Sequence, residues 1–117
     1  MGIIIADHKL TKDDIKTARE EYDNFIKITI DTDQKIVAIG GEYHYDAKQI
    51  LIKRFGSKNS STWGGGYYTD TKIFSVNAHV NYKTNLGNPS GDILNEEARN
   101  KFLKLAKETL KNIESLL

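Results

Sequence analysis

Hydrophobic and polar residues alternate along two stretches of the chain, which is the pattern of a β-strand that buries one face. In residues 25–31 three isoleucines alternate with polar residues. The apolar run "KIVAIGG" follows an aspartate-rich turn, so these two segments predict an antiparallel hairpin. Residues 72–83 alternate most regularly and predict the strongest strand. Residues 62–69 predict a distorted strand or loop, because three consecutive glycines follow Trp63.

Helical periodicity predicts three helices. The first follows Thr11, which can cap it together with Asp14 three residues later. The second lies in "DAKQILIKRFGS", with Asp46 as the predicted N-cap and Gly56 as the C-terminal stop. The last covers residues 95–115, where apolar residues line one side and lysines the other.

Together these segments predict one α+β domain over residues 1–117. The order is α-β-β-α-β-β-α, with a mainly antiparallel four-stranded sheet packed against three helices. The length of 117 residues fits a single domain with a modest core.

Composition narrows the classes of function. Lysine and arginine number 17 against 16 aspartate and glutamate, a balance of +1 that disfavours a dedicated nucleic-acid binder. The absence of cysteine excludes disulfides, thiolate zinc sites and cysteine nucleophiles. Neither a signal-peptide pattern nor an apolar run long enough for a membrane span is found, so we expect a cytoplasmic protein without a membrane partner.

The segment "GGEYHYD" is the first candidate for chemistry. If the second strand continues to His44, then Glu42 and His44 project to the same side, and Asp46 can join them. Such a set binds a divalent metal such as Zn²⁺, Mn²⁺ or Fe²⁺, or acts as a general acid-base pair without metal. The alternative is that Asp46 only caps the next helix and the other two form a solvated pair.

The polar side of the strongest predicted strand is the second candidate. Ser75, Asn77, His79 and Asn81 recur at every second position and predict one polar face. Such a row suits a polar small molecule or a contact between copies of the chain. The alternative is the ordinary wet face of an antiparallel sheet, although asparagine is depleted in strands.

The irregular loop "NLGNPSGDI" is the third candidate. It contains Gly87, Asn88 and Ser90 and leads towards a helix N-terminus, where free N–H groups favour anions. Its spacing matches neither a P-loop nor a dinucleotide fingerprint, and a simple turn with a helix cap is the alternative. Trp63 and the tyrosines beside the glycines can stack on a base or sugar, or pack over the edge of the core.

Three segments, "AIGGEYHYDAK", "GSKNSSTWG" and "NYKTNLGNPSGDILNEEARNKF", resemble a family of small prokaryotic domains of unknown function. The resemblance covers most of the chain after Phe25 and rests on the motifs GGExHxDA, GS…WG and GN. It implies that these motifs meet in space.

The chain departs from that family pattern in four places. Asn77 stands where the pattern has Asp, Lys83 where it has Arg, and Thr84 where it has Pro, while Pro89 replaces a basic residue. If the family uses that Asp and those basic groups to hold a metal or an anion, we expect a weakened site here.

Three hypotheses follow. The first is a binding or self-assembly module that uses the polar sheet face, with a polar ligand or a second copy as partner. The second is a metal- or His-assisted hydrolase for a phosphate ester or amide, and the third, disfavoured, is a nucleic-acid contact. The predicted catalytic residues are Glu42 and His44, the predicted metal ligands Glu42, His44 and Asp46, and the predicted ligand-binding residues Asn77, His79, Asn81, Lys83, Trp63, Gly87, Asn88 and Ser90.

Overall fold

A computed structural model describes residues 2–117, in which one antiparallel sheet has helices on both faces. The strands are β1 (Ile3–Ile5), β2 (Phe25–Asp31), β3 (Ile36–Gly40), β4 (Thr62–Tyr68) and β5 (Ile73–Ser75), in the spatial order β1-β3-β2-β4-β5. The helices are α1 (Lys12–Ala18), α2 (His44–Phe55), α3 (Glu96–Thr109) and α4 (Ile113–Leu116). Short 3₁₀ turns cover Asn59–Ser61, His79–Asn81 and Thr84–Leu86.

The predicted α+β class and antiparallel sheet are confirmed, but the element count is wrong. Residues 2–117 form five strands and four helices, not four and three. The additional strand, β1, is only three isoleucines long, too short to show alternation. The predicted last helix ends at Thr109, whose hydroxyl donates to the carbonyl of Leu105 at 2.7 Å, a bond that bends helices.

The larger core lies on the sheet face that carries the three isoleucines of β2. Phe102 of α3, wholly buried, packs against this face beside Gly65 of β4. A Cβ at Gly65 would collide with the carbonyl oxygen of Ser75 and lie 2.8 Å from the Phe102 ring, so glycine allows both β5 and α3 to approach this strand. On the opposite face α2 covers a smaller cluster around Ala38, Ala47 and Leu51.

The hairpin between β2 and β3 is confirmed, and its turn is held by a buried carboxylate. Asp31 accepts hydrogen bonds from the Ser57 hydroxyl at 2.6 Å and from the Gln34 side chain at 2.8 Å. Burial opposes ionisation of Asp31, but these hydrogen bonds outweigh it and lower its pKa. This aspartate therefore ties the hairpin to the end of α2.

One predicted strand extends too far, and the continuation of another, on which the Glu42–His44 site depends, does not occur. β3 ends at Gly40 and does not continue to His44, because Gly40 and Gly41 take φ angles of +88° and +94°, which leave the extended conformation. β5 ends at Ser75 rather than at residue 83, and the chain then turns to bring the Asn81 side chain onto β4. The distorted segment at 62–69 is in contrast a regular inner strand, β4.

Candidate functional site

Asn81 joins the irregular segment after β5 to the centre of the sheet. Its side chain is fully buried, and its Oδ1 accepts the N–H of Gly64 at 2.8 Å. Its Nδ2 donates to the carbonyls of Gly64 at 2.9 Å and Gly91 at 2.8 Å, and lies 3.1 Å from that of Val76. Every polar atom of this amide is therefore used inside the fold rather than offered to a ligand.

The side chain of Asn88 also bonds to backbone groups of this segment. Its Nδ2 donates to the carbonyls of Asn81 at 2.8 Å and Asp92 at 2.7 Å, while its Oδ1 accepts the N–H of Leu94 at 2.8 Å. We call Asn81 and Asn88 the asparagine clamp. The clamp fixes the loop between β5 and α3, and explains why the GN motif stands near residues of β4.

The predicted polar row does not exist as one face. Asn81 is buried, whereas Asn77 and His79 are exposed. The His79 ring lies 5.4 Å from the ring of Tyr82, and Asn77 reaches Asp92 at 3.4 Å. The alternation does not continue as a strand because β5 ends at Ser75: Asn77 lies in the irregular segment after it, and His79 and Asn81 lie in a 3₁₀ turn.

Glu42 and His44 do not lie on one face of a strand, as the predicted site with Asp46 requires. His44 opens α2, Glu42 lies exposed in the turn before it, and Tyr43 rather than Asp46 is the N-cap. No group of three or more His, Asp or Glu residues within 2–117 is placed to hold a metal ion.

His44 points inward from the start of α2. Its Nε2 lies 2.6 Å from the carbonyl oxygen of Gly65, a distance that makes the neutral ring an N–H donor. Burial, aided by the charge of Lys27 and opposed by the bond to Gly65, lowers the pKa of His44 to about 4, so the ring is neutral near pH 7. The imidazole therefore ties α2 to β4, with its Nε2 committed to backbone.

A surface pocket of about 500 Å³ collects three of the predicted ligand-binding residues. It lies between the turn after β2, the turn before β4, the loop closed by Gly87 and Asn88, and the start of α3. Trp63 contributes a wall from β4. The lining is Thr32, Asp33, Ser60, Trp63, Leu86, Gly87, Asn88, Leu94, Asn95, Glu97, Ala98 and Lys101.

Hydrogen bonds within the loop itself fix the wall that it contributes to this pocket. Gly87 takes a φ of +76°, a conformation that suits glycine, and the backbones of Lys83 and Asn88 bond to each other at 2.8 and 3.0 Å. Asn95 caps α3 by accepting the N–H of Ala98 at 2.9 Å. Ser90 stands outside the pocket lining, and its hydroxyl accepts the N–H of Asp92 at 3.1 Å.

Lys83 lies beneath the loop rather than on it. The residue is only 2% exposed. Its Nζ donates to the carbonyl of Val80 at 3.0 Å and lies 3.3 Å from Asn59 Oδ1. The same ammonium group lies 5.0 Å from the centre of the Trp63 ring. Lys48 of α2 donates to the same Asn59 oxygen. Burial, with the charge of Lys48 beside it, lowers the pKa of Lys83 to about 8.

Sequence reasoning missed Lys48 and Asn59. Lys48 follows His44 by four residues, which places both on one side of α2, but nothing in the pattern indicates that this side meets Lys83. Asn59 stands within the "GSKNSSTWG" segment without any periodic signal. Their meeting depends on how α2 crosses the sheet.

Comparison with known proteins identifies a family whose function is unknown. A family model described as "Protein of unknown function (DUF5674)" matches residues 3–109, and the chain therefore belongs to this family. No curated protein matches the chain. No solved structure matches it either.

Across residues 2–117, no helix combines the length and the apolar character needed to cross a bilayer.

Proposed function

We propose that this member of the DUF5674 family is a binding module that takes up a small polar molecule with one flat or apolar part. The observation that carries the proposal is the pocket itself, which brings together Trp63, Gly87 and Asn88 from separate segments. Its volume of about 500 Å³ lies within the usual size range of small-molecule sites.

The walls of the pocket favour an amphipathic ligand. Trp63, Leu86 and Leu94 supply apolar area on which a ring can lie. The Ser60 hydroxyl can donate or accept a hydrogen bond, whereas the Thr32 hydroxyl donates to the carbonyl of Ser61 at 3.2 Å and can only accept one from a ligand. The ligand we propose therefore carries hydroxyl or amide groups around a planar body.

The charged groups of the pocket favour a ligand without net negative charge. Asp33 and Glu97 are acidic, and Lys101 is bound to Glu97 at 3.2 Å, which leaves little free positive charge at the rim. Because Asn95 already caps the N-terminus of α3, the helix end offers less to an anion. A neutral or zwitterionic molecule fits this balance better than a phosphate.

The asparagine clamp supports binding by holding the loop wall in place before a ligand arrives. A site whose backbone is already ordered loses less conformational freedom on association. Asn88 has no free polar atom of its own, so its role in binding is to position the loop.

The hydrolase hypothesis has weaker support from the same residues. The Nε2 of His44 is committed to the carbonyl of Gly65, and Glu42 is exposed in the turn before α2. We therefore propose binding at the pocket rather than catalysis at Glu42 and His44.

Trp63 is the only tryptophan of the chain and lines the pocket, so its fluorescence reports occupancy directly. We would titrate the protein with a panel of nucleosides, sugars, amino acids and aromatic amides while following emission and melting temperature. A true ligand is expected to change the emission saturably and to raise the melting temperature, because it binds the native state.

Two variants test the location of the site. Ser60→Tyr fills the pocket from an exposed position, and Leu86→Asp removes an apolar wall; both are expected to weaken binding. Leu117→Ala, at an exposed leucine outside the pocket lining, is the matched control and is expected to bind like wild type. Unchanged affinity in Ser60→Tyr and Leu86→Asp would place the ligand elsewhere and overturn the proposal.

A further inference from the structure

Two lysines near the turn before β4 share one neutral acceptor. Lys48 comes from α2 and Lys83 from the segment after β5, and both ammonium groups point at Oδ1 of Asn59. Neither forms a salt bridge with any residue in the described range 2–117. Two positive charges therefore converge on an amide oxygen that carries only a partial negative charge.

This arrangement is unusual for a buried cation. Lys83 is 2% exposed, and buried charges in proteins are ordinarily paired with an opposite charge. Its remaining partners are the carbonyl of Val80 and the face of Trp63, which are also neutral. Burial lowers the pKa of Lys48 as well, with no carboxylate to compensate. The pair lacks the anion that would neutralise it.

Asn59 is exposed and Lys48 is partly buried, so this side of the pair lies near the surface. If the Asn59 side chain rotates away, both ammonium groups lose their shared acceptor. An oxyanion placed there can accept from the two lysines at once, with charge-assisted hydrogen bonds stronger than those made by an amide oxygen. Lysine is well suited to this, because its ammonium acts as a point charge for phosphate.

We propose that Lys48, Lys83 and Asn59 form a binding site for a small oxyanion, a phosphate or phosphomonoester group, that bridges the two ammonium groups in place of the Asn59 oxygen. This site is separate from the pocket of the proposed function, whose lining includes neither lysine. The oxyanion site therefore does not depend on whether the pocket binds its proposed ligand.

Inorganic phosphate is the probe for this site. We would measure the melting temperature against phosphate concentration at constant ionic strength, with chloride as the balancing anion. The Asn59 side-chain amide would be followed in parallel by ¹H–¹⁵N NMR. The expected result is a saturable rise in melting temperature, and a shift of the Asn59 amide with the same midpoint.

Asn59→Asp is the decisive variant. It places a carboxylate of the same shape between the two lysines, so it is expected to raise the melting temperature without phosphate and to abolish the phosphate response. Lys48→Met is expected to weaken phosphate binding by roughly tenfold or more, since one of two charge-assisted bonds is lost. Asn100→Asp, on the exposed side of α3, makes the same charge change elsewhere and is the control with a wild-type response.

Three results would overturn the proposal. The first is a phosphate response of Asn59→Asp equal to that of wild type. The second is a chloride series that reproduces the phosphate effect, which would mean ionic screening rather than a site. The third is tighter, strongly salt-dependent binding of a single-stranded oligonucleotide with no response to phosphate, which would assign the lysines to a nucleic-acid backbone instead.

Discussion

Asn81 and Lys83 lie two residues apart, and both are buried, yet their surroundings differ in kind. Asn81 finds a backbone partner for each polar atom of its amide. Lys83 carries a full charge and finds only neutral acceptors and an indole face. A buried polar group that is fully satisfied stabilises the fold, whereas a buried charge without a counter-charge carries a desolvation cost that neutral acceptors offset only in part.

The largest effect on stability is expected from a substitution of Asn81, whose polar atoms all have partners. Asn81→Leu removes the clamp and leaves the Gly64 N–H and several carbonyls without partners, each a costly loss in a buried place. We expect the free energy of unfolding to fall by about 4 kcal/mol, more than a single hydrogen bond is worth. Chemical denaturation measures this, and Asn77→Leu at an exposed asparagine is the control. A fall no larger than that of the control would contradict the structural role of Asn81.

The second largest effect on stability is expected from His44, which joins α2 to β4. Its pKa of about 4 in the folded protein lies below the ordinary 6.5, so the unfolded chain binds more protons between these values. Stability is therefore expected to fall as the pH falls from 6.5 to 4, by on the order of 3 kcal/mol for this group alone.

Denaturation curves across that pH range check the dependence on His44. His44→Gln can keep a donor near the Gly65 carbonyl without the titrating ring, so its curve is expected to be flatter than that of wild type. His79→Gln, at an exposed ring, is expected to keep the wild-type curve. Parallel curves for wild type and His44→Gln would contradict the buried neutral histidine.

Gly64→Ala disturbs the clamp from the strand side. The added Cβ would lie 2.8 Å from side-chain carbons of Ala78 and Val80 and 2.9 Å from the His44 ring. Since these neighbours belong to the turn and helix that cover β4, we expect overpacking to cost about 2 kcal/mol. Gly56→Ala is a control for crowding, because nothing lies within 4 Å of its added Cβ, although its φ of +67° carries a strain of its own. A loss in Gly64→Ala smaller than in Gly56→Ala would mean that the segment over β4 yields easily.

The smallest effect is expected at Lys83. Lys83→Met removes the buried charge and keeps the aliphatic stem, so the free energy of unfolding at pH 7 is expected to rise by about 1 kcal/mol. In wild type the folded pKa of about 8 lies below the ordinary 10.5, so the unfolded chain binds more protons between these values. Stability is therefore expected to increase as the pH rises from 8 to 10.5, and this increase is expected to vanish in the variant.

Thermal denaturation at pH 7, 8 and 10 tests the Lys83 prediction. Lys104→Met, on the exposed side of α3, serves as the control and is expected to leave both the stability and its pH dependence near wild type. A strong destabilisation by Lys83→Met would show that the ammonium supports the fold, and would erase the contrast with Asn81.

Local patterns in the sequence identified the elements that are built from local interactions. The isoleucines of β2 and the Thr11–Asp14 capping box both follow their predicted roles, with hydrogen bonds of 3.2 and 3.0 Å in the box. The fold class follows from the same signals. These features depend on side chains within a few residues of each other, which periodicity can register.

The sites depend on contacts that periodicity does not register. The alternation after Ser75 predicted a strand, but the segment turns instead, and the amide of Asn81 bonds to the backbones of Gly64 and Gly91. The condition that β3 continues to His44 is not met, because two successive glycines adopt positive φ. The sequence identified Trp63, Gly87 and Asn88 as three separate candidates. Only the fold shows that they line one pocket.

The two outermost strands of the sheet, β1 and β5, are three residues long each. An edge this short exposes few unpaired N–H and C=O groups, which limits the addition of a further strand from another chain. The short edges therefore disfavour the growth of copies of this chain into extended sheets. The exposed tyrosines, among them Tyr43, Tyr45 and Tyr82, lie outside these edge strands.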